Sequence, residues 1–81
     1  MEIARGQVVQ SRAGHDKGHF FTVLDYASPF ALLCDGKRRR LAKPKKKKVI
    51  HLAVTKMCLP EDALQSDRAV RAALSTFRRQ D

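Results

Sequence analysis

The chain has 81 residues, 43% of them hydrophobic and 31% charged, with a formal net charge of +9. At that length it makes one small domain, in which folding buries a little over ~60% of the unfolded chain's surface, and the balance of apolar and charged residues excludes global disorder. No apolar run approaches the ~18 residues of a membrane span, and the opening MEIARGQVV lacks the apolar core of a secretory signal, so no membrane partner and a cytoplasmic location are expected.

After a short lead-in, residues 6–13 alternate β-branched and polar side chains and read as a first strand. Gly14-His15-Asp16-Lys17-Gly18 stops it, because glycine accepts positive φ and Asp bonds to nearby backbone amides. Residues 19–26 form the strongest strand, rich in β-branched and aromatic side chains. If Phe21 and Val23 face inward, alternation turns Phe20 outward. There it either offers a stacking surface to an unpaired base or packs under a C-terminal helix; Tyr26 and Phe30 carry the same ambiguity.

Ser28-Pro29 is the next break, and residues 30–34 make a short third strand. Cys34, within it, reads as a small buried thiol. Cys34 and Cys58 lack zinc-ligand spacing, and a disulfide between them is possible but not needed. Asp35-Gly36 is the two-residue signal of a type I′ hairpin, so residues 37–41 are expected to return antiparallel to the third strand. Leu41 would then face the core with Arg39 near the rim, and Arg38 and Arg40 would point outward. Pro44 interrupts regular pairing, so residues 42–48 read as a mobile cationic loop, followed by a fifth strand at 49–54. About five short strands with tight turns give a mainly β, small half-open barrel over residues 1–54.

Residues 55–60 read as a linker, and Pro60 opens a helical turn through Glu61, Asp62, Ala63 and Leu64. Ser66 is the expected N-cap of an amphipathic helix, with Asp67 in its first turn. Val70, Ala73, Leu74 and Phe77 share one arc at the helical period, with Arg68, Arg71, Arg78 and Arg79 to one side, and the helix is expected to run to about Arg79. Residues 55–81 thus add a linker and a helix to the same single domain. The apolar stripe either closes the barrel or docks another protein.

The excess charge sits in one place. Lys37, Arg38, Arg39, Arg40, Lys43, Lys45, Lys46, Lys47 and Lys48 are nine cations in KRRRLAKPKKKK with no acid among them, and outside this stretch eight Lys and Arg balance eight Asp and Glu. So concentrated a charge points to a polyanionic partner that is held through its phosphates. The arginines can fork onto phosphates or stack on bases, and the lysines act as diffuse point charges. Arg12 and Lys17, flanking the first turn, either extend this face or are simply solvated. His15, His19 and His51 are scattered, and no catalytic set can be assembled, so an enzyme, a cofactor, a bound metal and a small-molecule substrate are all not expected.

The segments Gly6-Gln7-Val8-Val9, Gly14-His15-Asp16-Lys17-Gly18 and Phe21-Thr22-Val23 resemble the KOW motif of several ribosomal proteins and NusG-type transcription factors. The continuation LLCDGKRRRL, then KKKKVIHL, is similar to the eukaryotic-type large-subunit ribosomal proteins of that group, and more so to their small bacterial KOW-domain relatives. The resemblance covers about two thirds of the chain, residues 5–54. It implies an SH3-like barrel that binds RNA, usually ribosomal, with Gly18 as the motif glycine. Ser11 departs from the pattern, standing where the motif commonly carries an apolar residue. The expected function is a non-enzymatic, ribosome-associated RNA-binding protein. The alternative is an interaction module for ribosomal, ribosome-assembly or transcription proteins, with the basic run as a tether. Phosphate contacts alone leave DNA open as a ligand.

Overall fold

A computed structural model of the protein describes residues 3–78; Arg79, the expected end of the helix, lies outside them. The alternating segments form strands β1 (Gln7–Ser11), β2 (Phe20–Ala27), β3 (Phe30–Cys34), β4 (Lys45–Lys48) and β5 (Leu52–Cys58), followed by one helix, α1 (Asp67–Arg78). All pairings are antiparallel, in the order β4-β3-β2-β1-β5, and the sheet does not close. This is a small, half-open, SH3-like barrel with a C-terminal helix.

Both faces of the sheet carry apolar side chains, and each has its own core. Inside the curl, Ile3, Val9, Phe21, Val23, Ala31, Leu33 and Leu52 pack together, with Val49 and Val54 against them. On the outer face, Val8 and Cys34 meet Leu64, Val70 and Leu74, with Phe20, Leu24, Leu41, Leu59 and Phe77 packed around them. Val70 and Leu74 are fully buried, each stabilising the fold by about 1.5–3 kcal/mol. The Val70 to Phe77 stripe therefore closes the sheet and is not free to dock a partner.

The same packing corrects the outward placement of Phe20. Phe21 and Val23 do face inward and Phe20 does take the other face, but α1 covers that face. Phe20 is half-buried against Phe77, edge to face with ring centroids 4.6 Å apart, so it is no open stacking platform.

The expected hairpin at Asp35-Gly36 does not form. A type I′ turn requires positive φ at both central residues, and Gly36 has φ +75° while among the described residues no non-glycine residue has positive φ. Instead Asp35 folds the loop onto itself. Its Oδ1 accepts the N–H groups of Lys37 and Arg39, both at 2.9 Å, while the Asp35 and Gly36 N–H groups donate to the Arg39 carbonyl. α1 then holds the loop. The Leu41 N–H donates to Asp67 Oδ1 at 2.8 Å and Arg71 Nη1 donates to the Gly36 carbonyl at 3.0 Å. A Cβ on Gly36 would collide with the Asp67 carbonyl, so only glycine lets the loop approach the helix this closely.

The partner of β3 is therefore not residues 37–41 but the lysine run, in the register Leu33↔Lys45, Leu32↔Lys46, Ala31↔Lys47 and Phe30↔Lys48. Pro44 stands just before this edge strand, where its missing N–H breaks no pairing. Residues 45–48 are thus a strand and not a mobile loop. Val49–His51 is a short 3₁₀ turn, and β5 continues through Cys58 where a linker was expected after Val54, because β1 offers it partners as far as Gln7↔Cys58. Ser66 caps α1 as expected: the Ala69 N–H donates to Ser66 Oγ at 3.0 Å. Among the described residues, no helix is long and apolar enough to cross a membrane.

Candidate nucleic-acid interface

Strand geometry sorts the lysine run. Lys46 and Lys48 share the outer face with Phe30 and Leu32 and are exposed, whereas Lys45 and Lys47 share the inner face with Leu33 and Ala31 and are half-buried. Both inner lysines reach the turn that follows β1. Lys47 Nζ donates to Ser11 Oγ at 2.7 Å and to the Ala13 carbonyl at 2.8 Å. Ser11 is 1% exposed, so a buried hydroxyl at this position is what anchors the ammonium. That gives a local physical reason for a polar residue where the resemblance implies an apolar one.

Lys45 Nζ lies 3.5 Å from Asp16 Oδ2, and Arg39 Nη2 lies 3.7 Å from the same atom. The Asp16 side chain is only 6% exposed, and Oδ2 accepts no hydrogen bond among the described residues, so its two contacts are ionic. Asp16, expected only to shape a turn, is the internal counterion of the basic segment. Its signal in the sequence is slight: it is the acid of a turn that otherwise carries His15 and Lys17. The bond it provides ties three segments together, namely the first turn, the Asp35 loop and β4.

The remaining cations point outward. Lys37, Arg38, Arg40 and Lys43 are exposed on the loop, and Lys46 is exposed with its ammonium 4.4 Å over the Phe30 ring centroid. Arg12 and Lys17 are exposed beside the first turn. They line a cleft of about 430 Å³ together with Gln10, Ser11, Gly18 and Ala53. Gly18 has φ +89° with open space where a side chain would be, so its backbone is accessible on the cleft wall. Because Asp16 and Ser11 draw β4 against this turn, the cleft and the basic segment are neighbours. Of the expected contact residues, Lys37, Arg38, Arg40, Lys43, Lys46, Lys48, Arg12 and Lys17 are presented to solvent. Arg39, Lys45 and Lys47 are held by internal partners, and Phe20 lies under α1.

Two further groups stand apart from this surface. The Arg5 guanidinium forks onto the Glu61 carboxylate, with a closest contact of 2.8 Å, and donates to the Leu24 carbonyl at 2.9 Å. This exposed pair raises the Arg5 pKa and lowers that of Glu61, mainly through their shared hydrogen bonds. Cys34, wholly buried beneath α1, has its thiol pushed up to about 12 by desolvation and then by the nearby Asp67 and Asp35 carboxylates. Cys34 and Cys58 are both free, and among the described residues no group of three or more His, Cys, Asp and Glu side chains is placed to hold a metal ion.

No protein-family model matches the chain, and no curated protein matches it.

Proposed function

We propose that this chain is a non-enzymatic RNA-binding protein of the ribosome-associated KOW type, which grips structured RNA by its phosphates. The observation that carries this reading is the joining of two basic regions distant in sequence. Asp16 and Ser11 bind the inner side chains of the 37–48 segment, so the exposed cations of that segment adjoin Arg12 and Lys17 across the first turn. Asp16 is buried and paired within this surface, so its charge is largely screened from a polyanion. Phosphates meeting such a surface release condensed counterions, which gives affinity that depends steeply on salt and little on sequence. The resemblance of residues 5–54 to KOW proteins supports RNA over DNA.

The test is binding of the purified chain to ribosomal RNA fragments across a salt series, with duplex DNA of equal charge as competitor. A variant carrying Gln at Lys37, Arg38, Arg40, Lys43 and Lys48 runs beside it. RNA preference with a steep salt slope that flattens in the variant is the expected result. Equal binding by the variant and the parent would refute the reading.

A further inference from the structure

The outer face of the sheet is covered at one end only. α1 lies over Val8, Phe20, Leu24 and Cys34, but beyond the irregularity between Val23 and Asp25 the helix no longer reaches. There Asp25 pairs with Leu32 and Ala27 with Phe30, and across β3 Leu32 pairs with Lys46. Side chains opposite one another in an antiparallel ladder share a face. Asp25, Ala27, Phe30, Leu32 and Lys46 accordingly line one cleft of about 280 Å³.

The cleft combines three different kinds of group. Ala27, Phe30 and Leu32 give it an apolar wall. Lys46, held over the Phe30 ring, puts a cation at its lip, and Lys48 follows on the same face. Opposite stands the Asp25 carboxylate, whose Oδ1 accepts the N–H of Tyr26 at 2.8 Å. Among the described residues Asp25 has no ion-pair partner within 4.0 Å, and its Oδ2 accepts no hydrogen bond. An acid at this place repels phosphate, so the cleft is not a continuation of the phosphate-binding surface. What suits it is a flat uncharged body with hydrogen-bond donors on one edge and a negative charge trailing toward the lysines.

We propose that this cleft takes one unstacked nucleobase bearing an exocyclic amino group, from an RNA strand whose phosphates lie on Lys46 and Lys48. The inference rests on the RNA-binding reading above and adds base selectivity to it. The amino group of adenine, cytosine or guanine donates to the free oxygen of Asp25, as carboxylates accept from cytosine N4 in nucleic-acid grooves. Uracil has the O4 carbonyl where cytosine has its amino group, so at that position the carboxylate meets a partially negative oxygen and not a donor. The Phe30, Leu32 and Ala27 wall shields the base from water, which strengthens the discrimination.

The experiment compares the parent chain with Asp25→Ala, binding four oligoribonucleotides at one low salt concentration. These are octauridylate and the same octamer with one central adenosine, cytidine or purine riboside, the last being adenosine without its amino group. The adenosine and cytidine octamers should bind the parent about tenfold more tightly than octauridylate, with purine riboside close to uridine. In Asp25→Ala the preference should vanish while octauridylate binds at least as well, because an anion has been removed. Asp25 is exposed, so folding should be preserved. Equal binding of all four octamers by the parent, or a preference retained in Asp25→Ala, would overturn the base cleft and leave RNA binding intact. If ribosomal RNA fragments bind and no octamer does, the cleft proposal alone falls. If neither binds, the RNA-binding reading falls with it.

Discussion

Residues 37–40 and residues 45–48 are both runs of four consecutive cations, yet the fold treats them differently. The first is a loop closed by Asp35 and clamped to α1, and it presents Lys37, Arg38 and Arg40 to solvent while turning Arg39 toward Asp16. The second is a strand, so its charges divide by face: Lys46 and Lys48 outward, Lys45 and Lys47 inward to fixed polar partners. A run of like charge is therefore not one functional unit. Backbone conformation decides which cations meet a ligand and which help build the site that presents the others. The lysine strand also lies at a sheet edge, where closely spaced ammonium groups deter pairing with another chain.

This contrast can be broken most severely at the loop's anchor. Gly36→Ala combines a left-handed φ with a collision against the Asp67 carbonyl, and should lower stability by about 2–4 kcal/mol in urea unfolding. A change under ~0.5 kcal/mol would mean the loop is not clamped. Next come the inward contacts of the strand. Asp16→Ala leaves Lys45 and Arg39 without their anion, and Lys47→Met removes a donor from Ser11 and Ala13. Each should cost about 1–3 kcal/mol by thermal or chemical unfolding, and neither deletes a cation that faces solvent.

At the end of β3, just before the Asp35 loop, Cys34 supplies a pH test. Its folded pKa is raised to about 12 from an ordinary 9.0, so the unfolded thiol ionises first. Its contribution to stability is fully present below pH 9.0 and is lost as pH rises toward about 12. Cys34→Ala should flatten the fall in stability over that window. In the folded parent at neutral pH, a maleimide should label the exposed Cys58 and spare Cys34.

The outward loop should show the opposite profile to the strand's inner lysines. Replacing Lys37, Arg38 and Arg40 together with Gln should move stability by no more than ~0.5 kcal/mol. The slope of log affinity against log salt should flatten by about 2 for single-stranded RNA. A Lys45→Gln/Lys47→Gln pair should reverse this, lowering stability and changing the slope less. The smallest effect belongs to the exposed Arg5–Glu61 pair. Its stabilisation is present above the ordinary Glu pKa and lost as pH falls through the depressed Glu61 value, and Glu61→Gln should remove that acid dependence without touching RNA affinity.

Much of the fold is legible in local pattern. β1, β2 and β3 follow from alternating and β-branched residues bounded by Gly, Asp and Pro, and α1 follows from the Ser66 cap and the Val70 to Phe77 stripe. Lys45–Lys48 and the end of β5 depart from their local pattern for one cause. Lys45–Lys48 has no strand signal of its own; it becomes a strand because β3 offers an open edge and its alternate ammonium groups find Asp16, Ser11 and Ala13. The end of β5 is likewise drawn on by β1 past the point where its own pattern fades. Asp35-Gly36 looked like a hairpin because the dipeptide is right for one, but the Asp35 carboxylate caps its own loop before a return strand can begin.

By itself, the sequence determined the elements with strong local preferences, the apolar stripe of the C-terminal helix, and the concentration of positive charge between residues 37 and 48. Only the tertiary structure decided which of those charges are free. The partners that hold the others lie far away along the chain, as Ser11 does from Lys47 at a separation of 36 residues, and an ion pair or a buried hydroxyl contact exists only once the sheet has brought its ends together.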